Sequence, residues 1–384
     1  MRIRVELPQV KPNEYDMPEV CPYEGCGGVY FKRHGVQGEP KPIRDLTYER
    51  VMSYRWKCLR CGKTFRVYPR GVSEAQQSDR MKATTVLLYV LGLSYGGVTD
   101  VIWALGSSVG KTTVYNNVQE AGQAARGRRR RAVRGGKKRT VIGADATYVK
   151  VKGEQVGVEV VVDDESGELL GLDIIVNENE EEVREVIEDV VEDVDAEVVI
   201  SDDHGAYKET TDALGLQHQI CRKHVKDNVE EVADSIREQT KRKDPKPEGL
   251  ESSMERLEED LAQLERLVAE RPAEGAQQLE AFYHRYKAVP LPRPGKRHTV
   301  WVRTRLLITR LWERWGRLTL DQRREDLEMD GTNNSCERLI GWWIKERTRT
   351  MRGYKRQESI RNVVTLTARM GVQSGRYDMT ELYA

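Results

Sequence analysis

The chain changes its pattern of apolar and polar residues several times, and each change marks a predicted element. Between residues 78 and 122 apolar residues recur every three or four positions, with glycines between the runs, which predicts short helices. Three β-runs then follow closely: Val141–Val151, Val156–Val162 and Leu169–Val176. The pattern continues as a helix over Glu180–Val194, a strand over Glu197–Ile200, a helix ending at Gly215 and a strand over Leu216–Ile220.

Three strands, then helix, strand, helix and strand, is the order of an α/β, ribonuclease-H-like mixed sheet. In that architecture the first and fourth strands are central neighbours. Asp145 lies on the first strand and Asp202 follows the fourth, so we expect the two carboxylates to face one another. Adjacent carboxylates repel unless divalent cations lie between them. Asp203 is a rival for the second position.

The sheet pattern stops after residue 228 and an all-helical insertion is predicted for residues 229–330. Leucines spaced by three and four positions predict coiled-coil-like packing, and Val300–Leu318 reads as a basic, tryptophan-rich helix. Residues 331–384 then return to the core that began with residues 140–228. A helix in this last part carries Glu337 in its first turn.

Two cysteine pairs near the start of the chain have the spacing of zinc ligands. Cys21 and Cys26 bracket four residues, Cys58 and Cys61 bracket two, and glycines follow each pair. Short cysteine turns on facing hairpins supply the tetrahedral thiolates that zinc needs. We predict a zinc ribbon over residues 1–72 with one structural Zn²⁺; buried apolar thiols are the alternative.

The helices of residues 73–125 suit a helix-turn-helix DNA-binding domain, with an ordinary three-helix bundle as the alternative. The segment GSSVGKTT at 106–113 is one residue short of a phosphate-binding loop and follows a helix, so we do not read it as one. The predicted recognition helix opens with candidate DNA-contacting residues: Lys111, Thr112, Thr113, Tyr115, Asn116 and Asn117.

Charge is segregated although the formal net charge of the 384 residues is only +1. Arg126–Arg139 holds nine basic residues and no acid, whereas 178–197 is dominated by acids. We predict that 126–139 is a basic linker that contacts DNA phosphates, a solvated disordered linker being the alternative. The candidates are Arg128, Arg129, Arg130, Arg131, Lys137 and Lys138. A second basic set lies on the last helix: Arg338, Lys345, Arg347, Arg349 and Arg352.

No run of about 18 apolar residues and no signal-peptide core is present, so we expect a soluble, cytoplasmic, nucleoid-associated protein with no membrane partner. Cys221 and His224, three residues apart, should share one face of a helix. Two ligands would leave zinc incomplete, so a packing or positioning role is favoured over a metal site.

Four segments together resemble the DDE transposases of bacterial and archaeal insertion sequences, relatives of the Mutator-like elements. They are DATYVKVKG at 145–153, SDDHGAY at 201–207, CRKH at 221–224, and TNNSCER with KERTRTMRGYK at 332–355. The resemblance implies that Asp145, Asp202 and Glu337 form a metal-binding catalytic triad. It also implies that Cys221 and His224 match the family's Cys-x-x-His element.

The activity implied by this resemblance is cleavage of transposon ends and joining of the freed 3′-OH to target DNA, with two Mg²⁺ (or Mn²⁺) ions. Because two ends must be brought together, we expect a homodimer or larger assembly on DNA. Two other classes remain open on the sequence: a DNA-binding regulator with an inactive core, and a structure-selective nuclease of the same fold.

Overall fold

The computed structural model describes residues 4–241, 244–250, 253–291, 295, 297–351, 353–372 and 377–383. Its strands are β1 (Val5–Glu6), β2 (Lys11–Tyr15), β3 (Phe31–Arg33), β4 (Glu39–Pro42), β5 (Arg50–Cys58), β6 (Thr64–Val67), β7 (Pro69–Arg70), β8 (Val141–Val151), β9 (Glu154–Asp163), β10 (Leu169–Ile175), β11 (Val198–Ser201), β12 (Gln217–Ile220) and β13 (Tyr377–Asp378).

More of the described residues lie in helices than in strands. They are α1 (Asp79–Val90), α2 (Tyr95–Ala104), α3 (Lys111–Arg134), α4 (Glu180–Val194), α5 (Gly205–Leu214), α6 (Arg222–Thr240), α7 (Met254–Glu270), α8 (Gly275–Tyr286), α9 (Val300–Leu318), α10 (Leu320–Arg323), α11 (Asn334–Leu339), α12 (Glu346–Arg349) and α13 (Gln357–Val372). A π-helical segment, Ile340–Lys345, separates α11 from α12. Among the described residues, no helix is both long and apolar enough to cross a membrane.

The described residues divide into two compact units. The cysteine unit comprises Met1–Ala132, Tyr148–Val156 and Leu339–Ala384, and the sheet unit comprises Val133–Thr147 and Gly157–Arg338. The segment Tyr148–Val156 belongs to the cysteine unit. It contains the turn between β8 and β9 and the adjoining ends of both strands.

In the cysteine unit, β5 is the strand to which β3, β4 and β6 all pair antiparallel. Helices α1 and α2 begin at serines whose hydroxyls accept a hydrogen bond from a first-turn N–H: Ser78 from Met81, and Ser94 from Gly97. Helix α3 lies close against α13, since a Cβ added at Gly122 would meet the backbone oxygen of Asn362 at 2.7 Å. Small size at residue 122 is thus required by packing.

The sheet unit contains a five-stranded mixed sheet in the order β10-β9-β8-β11-β12. Strand β11 runs parallel to both β8 and β12, while β10 is antiparallel to β9. Helix α4 presents Val183, Ile187 and Val190 to this sheet, at the three- and four-residue spacing that the sequence shows. An α/β fold is therefore confirmed. The first and last residues of β8 and of α4 are the ones that the sequence predicts.

A separate apolar core joins the helices that follow β12. It is formed by α6, α7, α8 and α9, and includes the fully buried Leu257, Leu261, Leu264 and Trp301. Helix α9 covers Val300–Leu318 as predicted. The seam of leucines on α7 is thus buried within the chain's own helical cluster.

One segment differs from its sequence-based description. Residues 126–134, the first part of the predicted basic linker, continue α3 as helix. Arginine and alanine are good helix formers, and the only glycine inside that stretch is Gly127, so helix propensity outweighs mutual charge repulsion there.

Candidate functional site

Asp145 and Asp202 lie on neighbouring parallel strands of the sheet unit. Gly143 on β8 is the register partner of Ile200 on β11. Each acid is two residues beyond its member of this pair, Asp202 just past the end of β11. The two acids therefore stand at the same level, at the carboxyl end of β11, where open α/β sheets commonly bind ligands.

A buried asparagine connects the third acid to this place. Asn333 donates its side-chain N–H to the main-chain oxygen of Ala144, at 2.8 Å. Its own main-chain oxygen accepts the N–H of Glu337, at 3.0 Å, in the first turn of α11. Ser335 adds a second tie by donating its hydroxyl to the oxygen of Asp164. Asn333 contacts Ala144, the residue next to Asp145, and Glu337 follows Asn333 by one helical turn. Glu337 is therefore held in a fixed position relative to the strand that carries Asp145.

The electrostatics of Asp145 reflect this crowding. Burial, followed by the negative charges of Asp202 and Glu337, raises the pKa of Asp145 to about 7, although a hydrogen bond from the N–H of Ala146 opposes the shift. Within the described residues, no lysine, arginine or histidine nitrogen lies within 4.0 Å of a carboxylate oxygen of Asp145 or Asp202. Uncompensated, partly buried carboxylates are the donor set that Mg²⁺ prefers, so these residues fit a divalent ion.

Asp203, the rival for the second position, has a partner of a different kind. Its carboxylate accepts a hydrogen bond from the guanidinium of Arg314 on α9. Asp202 instead accepts the main-chain N–H of His204 at 3.0 Å, an interaction within its own turn. An arginine already neutralises Asp203, and this favours Asp202 as the metal ligand.

Glu337 has three polar neighbours on the loop and helix that follow β12. Lys223 donates to its Oε2 at 3.1 Å, and Nε2 of His224 lies 3.2 Å from its Oε1. The thiol of Cys221 completes a group in which sulfur, imidazole nitrogen and carboxylate oxygen all lie within 4.8 Å of one another. In the described part of the chain, Asp145 and Asp202 belong to no group that tight. Ligands of two ions about 4 Å apart can lie farther from one another than ligands of a single ion.

One buried acid near Asp145, Glu159, was not singled out from the sequence. Glu159 on β9 is fully buried, and the Tyr207 hydroxyl donates to it at 3.0 Å. Burial raises its pKa well above the usual range, and Asp145, Glu178 and Asp202 add to the shift. The signal was available, because Glu159 is a lone acid within a run of valines, as Asp145 is a lone acid within its own strand.

In the cysteine unit the four predicted zinc ligands do come together. Cys21, Cys26, Cys58 and Cys61 form one group within 4.8 Å, with sulfur separations of 3.8 Å from Cys21 to Cys61 and 3.7 Å from Cys26 to Cys58. A tetrahedral zinc with bonds of about 2.3 Å places its sulfurs about 3.8 Å apart. The backbone N–H of Cys61 lowers the pKa of Cys58 to about 7, which favours the thiolate.

Gly28 is required by this cluster. A Cβ at that position would meet the Cys58 sulfur at 2.7 Å and the Cys26 sulfur at 3.3 Å. The glycine therefore lets the backbone pass directly beside the sulfurs, and the arrangement fits a metal better than four unrelated buried thiols.

The start of α3 borders a cavity of about 620 Å³ in the cysteine unit. Its lining includes the predicted contact residues Lys111, Thr112 and Tyr115, together with Lys355 and Arg356. Tyr95 stacks on Tyr89 with ring centroids 4.6 Å apart. Aromatic rings and cations in one cavity are the chemistry that recognises nucleotides.

The other predicted contact residues of α3 are placed differently. Asn116 is exposed and Thr113 is partly buried. Asn117 is in the interior, only 3% exposed, and its amide bonds to Gln77 and Thr85. Asn117 is therefore a packing residue in this structure, because its donors already have internal partners.

The basic residues after α11 also divide by environment. Arg338, Lys345 and Arg349 are exposed. Arg347 is buried, with its guanidinium 4.1 Å from the ring centroid of Tyr89, so it packs where a phosphate contact was predicted. Arg352 lies outside the described residues.

Part of the basic run before β8 is neutralised by acids of the chain. In the sheet unit, Lys137 pairs with Glu165 at 3.8 Å, and Lys138 pairs with Asp195 and Glu197 at 3.1 and 3.0 Å. In the cysteine unit, Arg130 and Arg131 are exposed on α3, while Arg128 and Arg129 are partly buried. Basic and acidic residues that are separated along the sequence therefore partly neutralise one another in the folded protein.

A family model described as "Transposase IS66 family" matches residues 76–351, which include all three acids of the candidate site. No curated protein matches the chain. The family model covers well over half of the sequence, and the chain therefore belongs to the IS66 family of transposases.

Proposed function

We propose that this transposase binds the terminal inverted repeats of an insertion sequence, hydrolyses the phosphodiester at each end and joins the 3′-OH ends to target DNA. The observation that carries the proposal is the level placement of Asp145 and Asp202 on adjacent parallel strands, with Glu337 tied to the same strand through Asn333. Asp145 and Asp202 have no lysine, arginine or histidine nitrogen within 4.0 Å among the described residues, and this favours metal-dependent phosphoryl transfer over a purely structural role.

Asp145, Asp202 and Glu337 would hold two divalent ions, Mg²⁺ or Mn²⁺. Bound there, the ions would lower the pKa of an attacking water and stabilise the leaving 3′ oxygen. The chain's own residues prepare this site: Asn333 orients α11, Lys223 neutralises one oxygen of Glu337, and Ala146 donates its N–H to Asp145. Asp145 has to release a proton before it can act as a ligand.

The adjacency of the first and fourth of the five strands supports a ribonuclease-H-like core in residues 140–228. Of residues 331–384, which the sequence assigned to the same core, only those up to Arg338 belong to the sheet unit, and Leu339–Ala384 belong to the cysteine unit. We propose that residues 229–330 are the helical insertion of that core, that residues 1–72 form a ribbon around one Zn²⁺, and that α1–α3 of residues 73–125 form a helix-turn-helix. Its DNA-contacting surface would be the cavity at the start of α3, with Lys111, Tyr115, Lys355 and Arg356.

A cleavage and strand-transfer assay tests this function. The substrates are duplexes taken from the DNA on either side of the gene, intact or with a pre-cut 3′-OH end, incubated with plasmid target and Mg²⁺. We expect wild type to cleave and join, and Asp145→Asn and Glu337→Gln to do neither while still shifting end DNA. Two transposon ends must be brought together, so we expect joining to require at least a dimer.

Each rival class predicts a different result in the same assay. Retained cleavage by purified Asp145→Asn or Glu337→Gln would refute the triad. Binding without cleavage by wild type in either metal would indicate a regulator with an inactive core. Cleavage without joining of the pre-cut end would indicate a structure-selective nuclease.

A further inference from the structure

The group formed by Cys221, His224 and Glu337 has the donors of a metal site different from the carboxylate pair. Its sulfur, nitrogen and oxygen atoms lie within 4.8 Å of one another, and Nε2 of His224 is 3.2 Å from Oε1 of Glu337. In a tetrahedral zinc site, neighbouring nitrogen and oxygen ligands are separated by roughly 3.3 Å. The spacing is therefore that of ligands sharing one ion.

The fold holds each donor by a different element. Cys221 directly follows β12 and precedes α6, its main-chain N–H bonded to the oxygen of Ser201 at 2.7 Å. His224 is in the first turn of α6, on the same face as Cys221 because it lies three positions further along the chain. Glu337 is in the first turn of α11, which is 113 residues later in the chain than His224.

Two buried polar atoms of this group have no hydrogen-bond partner. Oε1 of Glu337 and Nδ1 of His224 are buried without a hydrogen-bond partner, whereas the other carboxylate oxygen, Oε2, is held by Lys223. The main-chain N–H of Asn333 donates a hydrogen bond to the Cys221 sulfur at 3.4 Å, which helps to fix the position of that sulfur. Buried polar atoms without partners are costly, and a bound cation would satisfy the free oxygen.

We propose that Cys221, His224 and Glu337 form a second transition-metal site, of the Zn²⁺ class, separate from the cysteine cluster near the start of the chain. A thiolate and an imidazole select zinc-like ions over magnesium, which prefers oxygen ligands alone. The side chains of His224 and Glu337 are 34% and 24% exposed, so a water molecule can complete a fourth position. Glu337 also belongs to the proposed catalytic triad, so the zinc site is tested by metal content without DNA, and its failure would leave the proposed cleavage activity standing.

Zinc counting on the full-length protein, without DNA, tests the site. We expect Cys221→Ser and His224→Gln each to carry one zinc ion fewer per chain than wild type after free metal is removed. Cys336→Ser is the matched control, because Cys336 is also buried, beside the same acids, but its thiol donates to the oxygen of Val160 and is in neither group. It should retain the wild-type count.

A spectroscopic measurement on wild type removes the dependence on variants. Zinc-edge X-ray absorption should show a shell that mixes sulfur with nitrogen and oxygen, because one four-sulfur site is averaged with one of mixed donors. A shell of sulfur alone would overturn the proposal. An unchanged zinc count in folded Cys221→Ser and His224→Gln, verified by circular dichroism, would overturn it as well.

Discussion

The side chain of Asn333 donates a hydrogen bond to the main-chain oxygen of Ala144, 189 residues earlier in the sequence and next to Asp145. This contact joins the start of α11, the helix that carries Glu337, to the central strand β8. Its neighbour Asn334 is exposed at the start of α11. The two consecutive asparagines therefore offer a buried tether and a matched surface control.

Replacing Asn333 by alanine should loosen Glu337 from Asp145. Residues that orient metal ligands typically contribute about 10–100-fold to activity, so we expect a loss of cleavage in that range. Unfolding free energy should fall by about 1–3 kcal/mol, since the oxygen of Ala144 loses its donor. End-DNA binding should persist. Asn334→Ala should behave as wild type in all three measurements; equal activity of both variants would contradict the tether.

Substitution by asparagine should affect cleavage at Asp202 and stability at Asp203. Asp202→Asn should abolish cleavage, because a metal ligand is lost, with little change in melting temperature. Asp203→Asn should instead lower the melting temperature, because Arg314 loses its carboxylate partner, and should leave cleavage measurable. The reverse pattern would make Asp203 the ligand.

Divalent-ion affinity should depend on pH through Asp145. Its pKa is raised from 3.8 to about 7, so at pH 6 the carboxyl is mostly protonated and an ion must displace that proton. Affinity for Mn²⁺, followed by calorimetry, should increase about tenfold per pH unit below pH 7 and level off above it.

The same shift has the opposite consequence for the metal-free protein. A carboxyl whose folded-state pKa is raised binds its proton more tightly when folded, so stability falls as pH rises from about 4 to 7 and changes no further from this group above that. Asp145→Asn should flatten that part of the pH profile. A profile identical to that of wild type would show that Asp145 is not the titrating group.

Removal of zinc should unfold the region around the four N-terminal cysteines. We expect Cys58→Ser, or treatment with a strong chelator, to lower the melting temperature and to weaken binding of end DNA, because a structural zinc contributes directly to folding. Cys336→Ser serves as the thiol control. Unchanged melting and unchanged DNA binding in chelator would contradict a zinc ribbon.

Salt dependence should identify which basic residues meet phosphates. Lys355 and Arg356 border the cavity at the start of α3, and neither forms an ion pair with a described acid, so each alanine variant should reduce the slope of log affinity against log salt by about 1. Lys137→Ala is the comparison, since Lys137 is paired with Glu165. Equal slope changes for Lys137 and Lys355 would contradict this assignment.

Much of the sheet and its helices could be predicted because their signals are local. The valines of β8 and the apolar face of α4 repeat with the period of their own element, so their bounds follow from neighbouring residues. The pairing of Cys21 and Cys26 with Cys58 and Cys61 was equally accessible, since the spacing within each pair is itself the signal.

What sequence reasoning could not supply is contact between distant segments. Nothing near Asn117 reveals that Gln77 and Thr85 will occupy its amide, and nothing near Arg347 reveals the ring of Tyr89. Likewise Glu337 as a third neighbour of Cys221 and His224 depends on the fold of the chain between them. In each case the residue type is compatible with the predicted role, but the side chain that it contacts in the fold determines what it does.

The carboxylates that already hold Lys137 and Lys138 change how a passing DNA duplex is attracted. A phosphate that reaches either lysine must evict Glu165, Asp195 or Glu197, so it exchanges one ion pair for another and gains little. The chain thus carries fewer available cations than its arginine and lysine tally suggests. Nonspecific binding to DNA is correspondingly weaker. Specificity then depends on the contacts that recognise the sequence of a transposon end.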